Sequence, residues 1–101
     1  MKLKYTKGKW IQDYNLIVDE HNNIICDLQR FDASDESNAN ARLIYTAPEM
    51  LEYLIDFVKP SFESYSEKEL KIWINANINL VKIIEKATGL KIEEVLSEKD
   101  S

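Results

Sequence analysis

The chain is poor in the residues that most catalytic, secreted or membrane-bound proteins rely on. Among 101 residues there is one cysteine, Cys26, and one histidine, His21. A single cysteine cannot close an intramolecular disulfide, so a reducing compartment is expected. No Cys/His set has zinc spacing, no serine–histidine pairing has supporting sequence, and Gly8 and Gly89 are too few for a glycine-rich phosphate loop. His21 falls in an expected turn, where a lone histidine reads as a surface residue. The carboxylates of "DASDES" read as helix caps and a solvated link, not as a paired acid and base. No cofactor, no metal and no enzymatic activity are therefore expected. No stretch approaches the ~18 apolar residues of a membrane span, and the start shows no apolar signal core. A soluble, cytoplasmic protein is the expectation. Positive charge is also scarce: the net charge is −5 and the pI about 4.9. That balance argues against direct binding of DNA or RNA, which usually needs a basic face. The exception is local, since Lys2, Lys4, Lys7 and Lys9 lie in a start that holds no acid.

What is present suits one globular domain over residues 1–101. Hydrophobic residues make up 45% and charged residues 31%, too apolar for disorder. Residues 1–31 read as a small antiparallel sheet. "KWIQ", "YNLIVD" and "NIICDLQRF" are short runs rich in β-branched and aromatic residues. Asn22 and Asn23 between the last two runs tolerate the positive φ of a tight turn. Tyr14, Leu16 and Val18 are expected on one face, and Ile24, Cys26 and Leu28 alternate against Ile25, Asp27 and Gln29. So small a sheet needs helices or a partner against it.

Two long antiparallel helices are expected to follow, giving an α+β fold. "DASDES" offers Ser34, Asp35 and Ser37 as N-caps. Apolar residues then recur at helical spacing from Ala39 to Val58, predicting a first helix over 35–59 that stops before Pro60. Pro48 either kinks this helix or starts a new one after a break near Thr46. The unbroken apolar phase favours a kink. Ser66 and Glu69 form a capping box for a second helix over 66–88, closed by Gly89 at its C-terminus. Residues 90–101 are expected to add a weak turn and fray.

That second helix is more apolar than one buried face requires. Leu70, Trp73, Ile74, Leu80, Val81, Ile84 and Ala87 form one stripe; Ile72, Ala76 and Ile83 form another. The surplus points to a homo-oligomer formed through the Trp73, Ile74 and Val81 faces. Asn77, amid the core stripe, reads as a buried amide that fixes helix register.

The candidate ligand groups lie at the junction of sheet and helix. Arg30 and Phe31 close the last strand, and Asn38, Asn40, Arg42 and Tyr45 occupy the first turns of the first helix. Arginine can grip phosphate bidentately, asparagine can read a base or ribose, and tyrosine can stack. The plainer alternative is a solvated face on which Arg42 pairs with Glu49 or an aspartate.

The segment "NARLIYTAPEMLEYL", residues 40–54, resembles a motif of small phage and prophage proteins reading Asn-Ala-Arg-Leu-Ile, then Ala-Pro-Glu-Leu-Leu-Glu. "YTKGKW" at residues 5–10 is similar to their Thr-Pro-Gly-Pro-Trp-like start with the prolines replaced or absent, and "KATG" at 86–89 to their ends. The layout resembles that of the anti-Thoeris sponges. That resemblance implies a phage-encoded oligomer in the host cytoplasm that sequesters a cyclic nucleotide or ADP-ribose-type immune signal without turning it over. Arg42 and Arg30 would then hold phosphate, Asn38 and Asn40 base or ribose, and Tyr45 or Trp10 would stack. The alternatives are an acidic inhibitor of a host defence complex, of anti-CRISPR or anti-restriction type, and an accessory interaction module with no ligand.

Overall fold

The computed structural model describes residues 3–97. Three short strands, β1 (Ile11–Asp13), β2 (Leu16–Val18) and β3 (Ile24–Asp27), precede four helices, α1 (Asp35–Ser64), α2 (Glu67–Ala76), α3 (Ile78–Thr88) and α4 (Ile92–Leu96). The fold is α+β, with an antiparallel sheet of order β1-β2-β3 at the N-terminus. The chain groups into two compact units: Tyr5–Met50, and the segment from Leu51 onward with the residues before Tyr5.

In the first unit, Tyr14 and Asn15 turn β1 into β2, with Tyr14 in the left-handed region at φ 53°. Tyr14 is therefore an exposed turn residue and not part of a core face. The turn from β2 to β3 is organised by Asp19. Its Oδ1 accepts from the backbone N–H of His21 at 2.9 Å and of Asn23 at 2.8 Å. The Asn23 backbone bond, ahead of the others, holds this carboxyl below the usual carboxylate value. The left-handed residue of the turn is Asn22, at φ 67°. Pairing shifts register at Ile17/Val18, where Ile17 faces Cys26 and Val18 faces Ile24. That bulge leaves Ile25 unpaired and upsets simple alternation, so Ile17 and Val18 are both buried while Ile24 is exposed.

Helix α1 runs through Pro48 without a break at Thr46. Ala41 and Pro48, seven residues apart and hence on one side of the helix, are both buried. The proline ring therefore serves as a compact apolar side chain. The helix also runs through Pro60 to Ser64, beyond the expected stop at Lys59. Proline removes one hydrogen bond, whereas Phe62, two residues on, packs against the core of the second unit. Packing outweighs local preference there.

That second core consists of Ile55, Val58, Val81, Ile84, Ile92, Val95 and Leu96, with Trp73, Ile74 and Leu80 packed partly buried against it. Of the three residues expected to face a second copy, Val81 is buried in the chain's own core, whereas Trp73 and Ile74 remain partly exposed. The other stripe, Ile72 and Ile83, stays exposed. The second helix is not continuous. Asn77 ends α2 and begins α3: its backbone N–H donates to Trp73 O and Ile74 O, and its Nδ2 donates to Trp73 O at 2.9 Å. Asn77 is a helix-terminating amide of the kind that competes with the backbone ladder, not a buried register key. The Ser66–Glu69 capping box forms as expected, and Gly89 closes α3 at φ 73°. The short turn expected in the tail is α4. Glu85 accepts from the Ile92 N–H at 2.8 Å, and α4 buries Ile92, Val95 and Leu96. The end of the expected tail, 98–101, lies outside the described residues.

Candidate functional site

The start of α1 is fixed by a small polar network. Asp32 Oδ1 accepts from Ser37 Oγ at 2.7 Å and from the Ser34 N–H at 3.0 Å, while Ser34 Oγ accepts from the Ser37 N–H at 3.1 Å. Ser34 is therefore the N-cap, one of the three anticipated candidates. The side chains of Ser34 and Ser37, then the Ser34 backbone, lower the Asp32 carboxyl from 3.8 to about 2. A depressed carboxylate stabilises the fold above its unfolded value and loses that contribution as pH falls through the folded one. Its contribution should thus be complete above about pH 4 and fade toward about pH 2. Urea midpoints taken across that window should fall less steeply for Asp32→Asn than for the parent chain. Identical slopes would mean that the network does not act on stability.

Against this helix start lies an open cleft of about 330 Å³, lined by Cys26, Asp27, Leu28, Gln29, Phe31, Ser37, Asn40 and Ile44. Its walls are the end of β3 with the turn after it, and the side of α1 that carries positions 37, 40 and 44. Spacing by three and four residues places those positions on one helix face. Asn15 Nδ2 donates to Asp27 Oδ1 at 3.1 Å and Asn15 O accepts from the Leu28 N–H at 2.7 Å, so the β1–β2 turn braces the β3 wall. The Phe31 ring meets Tyr14 edge-on, with centroids 4.9 Å apart. The cleft combines an aromatic ring, two amides, a hydroxyl and a carboxylate. Its volume falls within the range of small-molecule sites.

The structure does not gather the six expected ligand residues into one place. Asn40 lines the cleft. Arg30 lies in the turn between the lining residues Gln29 and Phe31, exposed and left-handed at φ 64°. Asn38 is occupied elsewhere: its Oδ1 accepts from Gln12 Nε2 of β1 at 3.4 Å and its Nδ2 donates to Ala33 O at 3.3 Å. Arg42 is two positions beyond Asn40, which is about 200° around the helix, and so shares the flank of Asn38 and Tyr45. It is exposed, and no contact with Glu49 or an aspartate engages it among the described residues. Trp10 is half-buried, just before β1 at the other edge of the sheet from β3, and its Nε1 donates to Thr6 O at 3.0 Å. Sequence reasoning missed Cys26, Asp27, Gln29 and Ser37 as neighbours of Asn40. Helical arithmetic alone would have separated Asn40 from Arg42; the β3 wall had no comparable signal.

Among the described residues no cluster of three or more His, Cys, Asp or Glu could hold a metal, and no helix is long and apolar enough to cross a membrane. Fold and cleft together define a small α+β protein with a polar–aromatic recess beside its sheet. A family model described as Salmonella phage P22 protein Y8K6 matches residues 1–91, and the chain belongs to that phage protein family. No curated protein and no solved structure matches it.

Proposed function

We propose that this phage protein is a non-catalytic binder that captures a nucleotide-type host signal in the cleft between β3 and α1. The observation that supports this reading is the recess itself, where Phe31 stands with the amides of Asn40 and Gln29 in about 330 Å³. Amides satisfy the donor–acceptor edges of a base, an aromatic ring stacks on its face, and Asp27 accepts from ribose hydroxyls or an exocyclic amine. Asp27 and Asp32 disfavour a phosphate inside the cleft. The phosphate is therefore assigned to the rim, toward Arg30. Arg42 and Trp10 have no part in this arrangement.

The experiment is capture from a panel of cyclic nucleotide and ADP-ribose signals, with Asn40→Ala, Arg30→Ala and Arg42→Ala alongside the parent chain. Losing one hydrogen-bonding group that the bound signal covers costs roughly 1–3 kcal/mol, so Asn40→Ala should weaken capture by about ten- to a hundredfold. Arg30→Ala should weaken it in a salt-dependent way, and Arg42→Ala should leave it unchanged. A panel that passes through unbound, or capture lost only in Arg42→Ala, would contradict the assignment. The unbound result would favour the rival reading, an acidic protein-binding inhibitor, for which the net charge of −5 is the supporting observation.

A further inference from the structure

Two exposed apolar faces of the second unit have opposite electrostatic borders. On the part of α1 after Leu51, Tyr53 and Phe57 are four residues apart on one face and are 74% and 66% exposed. Asp56, one turn from Tyr53, and Glu63, seven residues beyond Asp56, give that stripe an exposed acidic edge. The outer side of α2 carries a shallow groove of about 370 Å³, lined by Tyr65, Glu69, Ile72, Trp73 and Ala76. Ile72 in its floor is 64% exposed. Lys68, one turn before Ile72, and Lys71, one turn after Lys68, give the groove an exposed basic edge. The carboxylate in the groove, Glu69, is already used: its Oε1 accepts from the Ser66 N–H at 2.8 Å in the capping box.

We infer that the occupant of the α2 groove is a second copy of this chain, whose Tyr53 and Phe57 enter the groove while Asp56 and Glu63 face Lys68 and Lys71. Large aromatic side chains entering an apolar groove supply the affinity of such contacts, and the charged edges set partner and register. Pairing two α1 stripes with each other would set Asp56 and Glu63 against the same two carboxylates, with only the half-buried Lys59 between them to offset the repulsion. The α2 groove, edged by Lys68 and Lys71, offers the opposite charge beside an apolar floor. This assignment is independent of the cleft at β3, and it replaces the Val81 face, which the core already uses.

The test is sedimentation of the purified full chain over a wide concentration range, with two charge-reversed variants. Asp56→Lys/Glu63→Lys makes both faces basic, and Lys68→Glu/Lys71→Glu makes both acidic. The parent chain should self-associate, more weakly at high salt. Each variant alone should stay folded by circular dichroism and associate at least about tenfold more weakly. Mixed in equal amounts, the two variants should associate again, because each then meets an opposite face. Phe57→Ala, which alters no charge, should also weaken the parent's association. A parent chain that stays monomeric throughout, variants that associate as well as the parent, or a mixture that fails to recover would each overturn the assignment.

Discussion

Pro60→Ala is expected to stabilise the protein by about 2–3 kcal/mol, while Pro48→Ala leaves stability nearly unchanged. Both prolines lie inside α1. Each removes a donor from the helical ladder and crowds the carbonyl four residues back, at a cost of ~3 kcal/mol in a helix interior. Alanine restores the donor in both cases and gives back up to about 1 kcal/mol through a freer unfolded chain. The difference is burial. Pro60 is exposed, so its ring contributes little, and the Ser64 hydroxyl bond to the residue-60 carbonyl survives substitution. Pro48 is buried, and removing its ring forfeits about 2 kcal/mol of apolar burial. Urea midpoints of the two single variants decide the matter. Equal gains at both sites would show that the Pro48 ring does not act as a core side chain.

Ile84→Ala should cost about 2–5 kcal/mol, the range for truncating an isoleucine that cannot be refilled by its neighbours. Ile84 is 0% exposed and belongs to the cluster that joins α1, α3 and α4. For a chain of this size such a loss lowers the melting temperature by roughly 4–8 °C for each kcal/mol, which removes a large share of the total stability. The neighbouring Ile83 is 56% exposed, and Ile83→Ala should shift stability by less than about 0.5 kcal/mol. Thermal unfolding of the pair, followed by circular dichroism, should therefore separate two adjacent and chemically identical residues. Similar losses at both positions would mean that the core lies elsewhere.

These two pairs show what sequence can and cannot carry. Ile83 and Ile84 fell on different stripes by helical spacing, and the structure keeps them apart in that way. The capping box at Ser66 and the left-handed Gly89 were equally legible, because both are local backbone chemistry. The run of α1 past Pro60 was not, because the packing of Phe62 is a tertiary effect that local preference does not reveal. Nor was the split at Asn77, where the side-chain amide shares the Trp73 carbonyl with the residue's own backbone N–H. The candidate site was half legible. Asn40 could be named from its amide and its place at the helix start. The partners opposite it depend on how α1 lies across β3, and a bulge at Ile17/Val18 altered even the alternation of the sheet.

The central claim is that the recess beside Phe31, Gln29 and Asn40 captures a small signal without altering it. The most direct test is capture and release. Purified protein is mixed with each member of the nucleotide panel and filtered, the retained fraction is heated, and the small molecules are followed by chromatography. The account predicts that one signal disappears from the filtrate of the parent chain, persists in that of Asn40→Ala, and returns chemically intact on heating. A signal that returns altered, or one retained equally by Asn40→Ala, would contradict it.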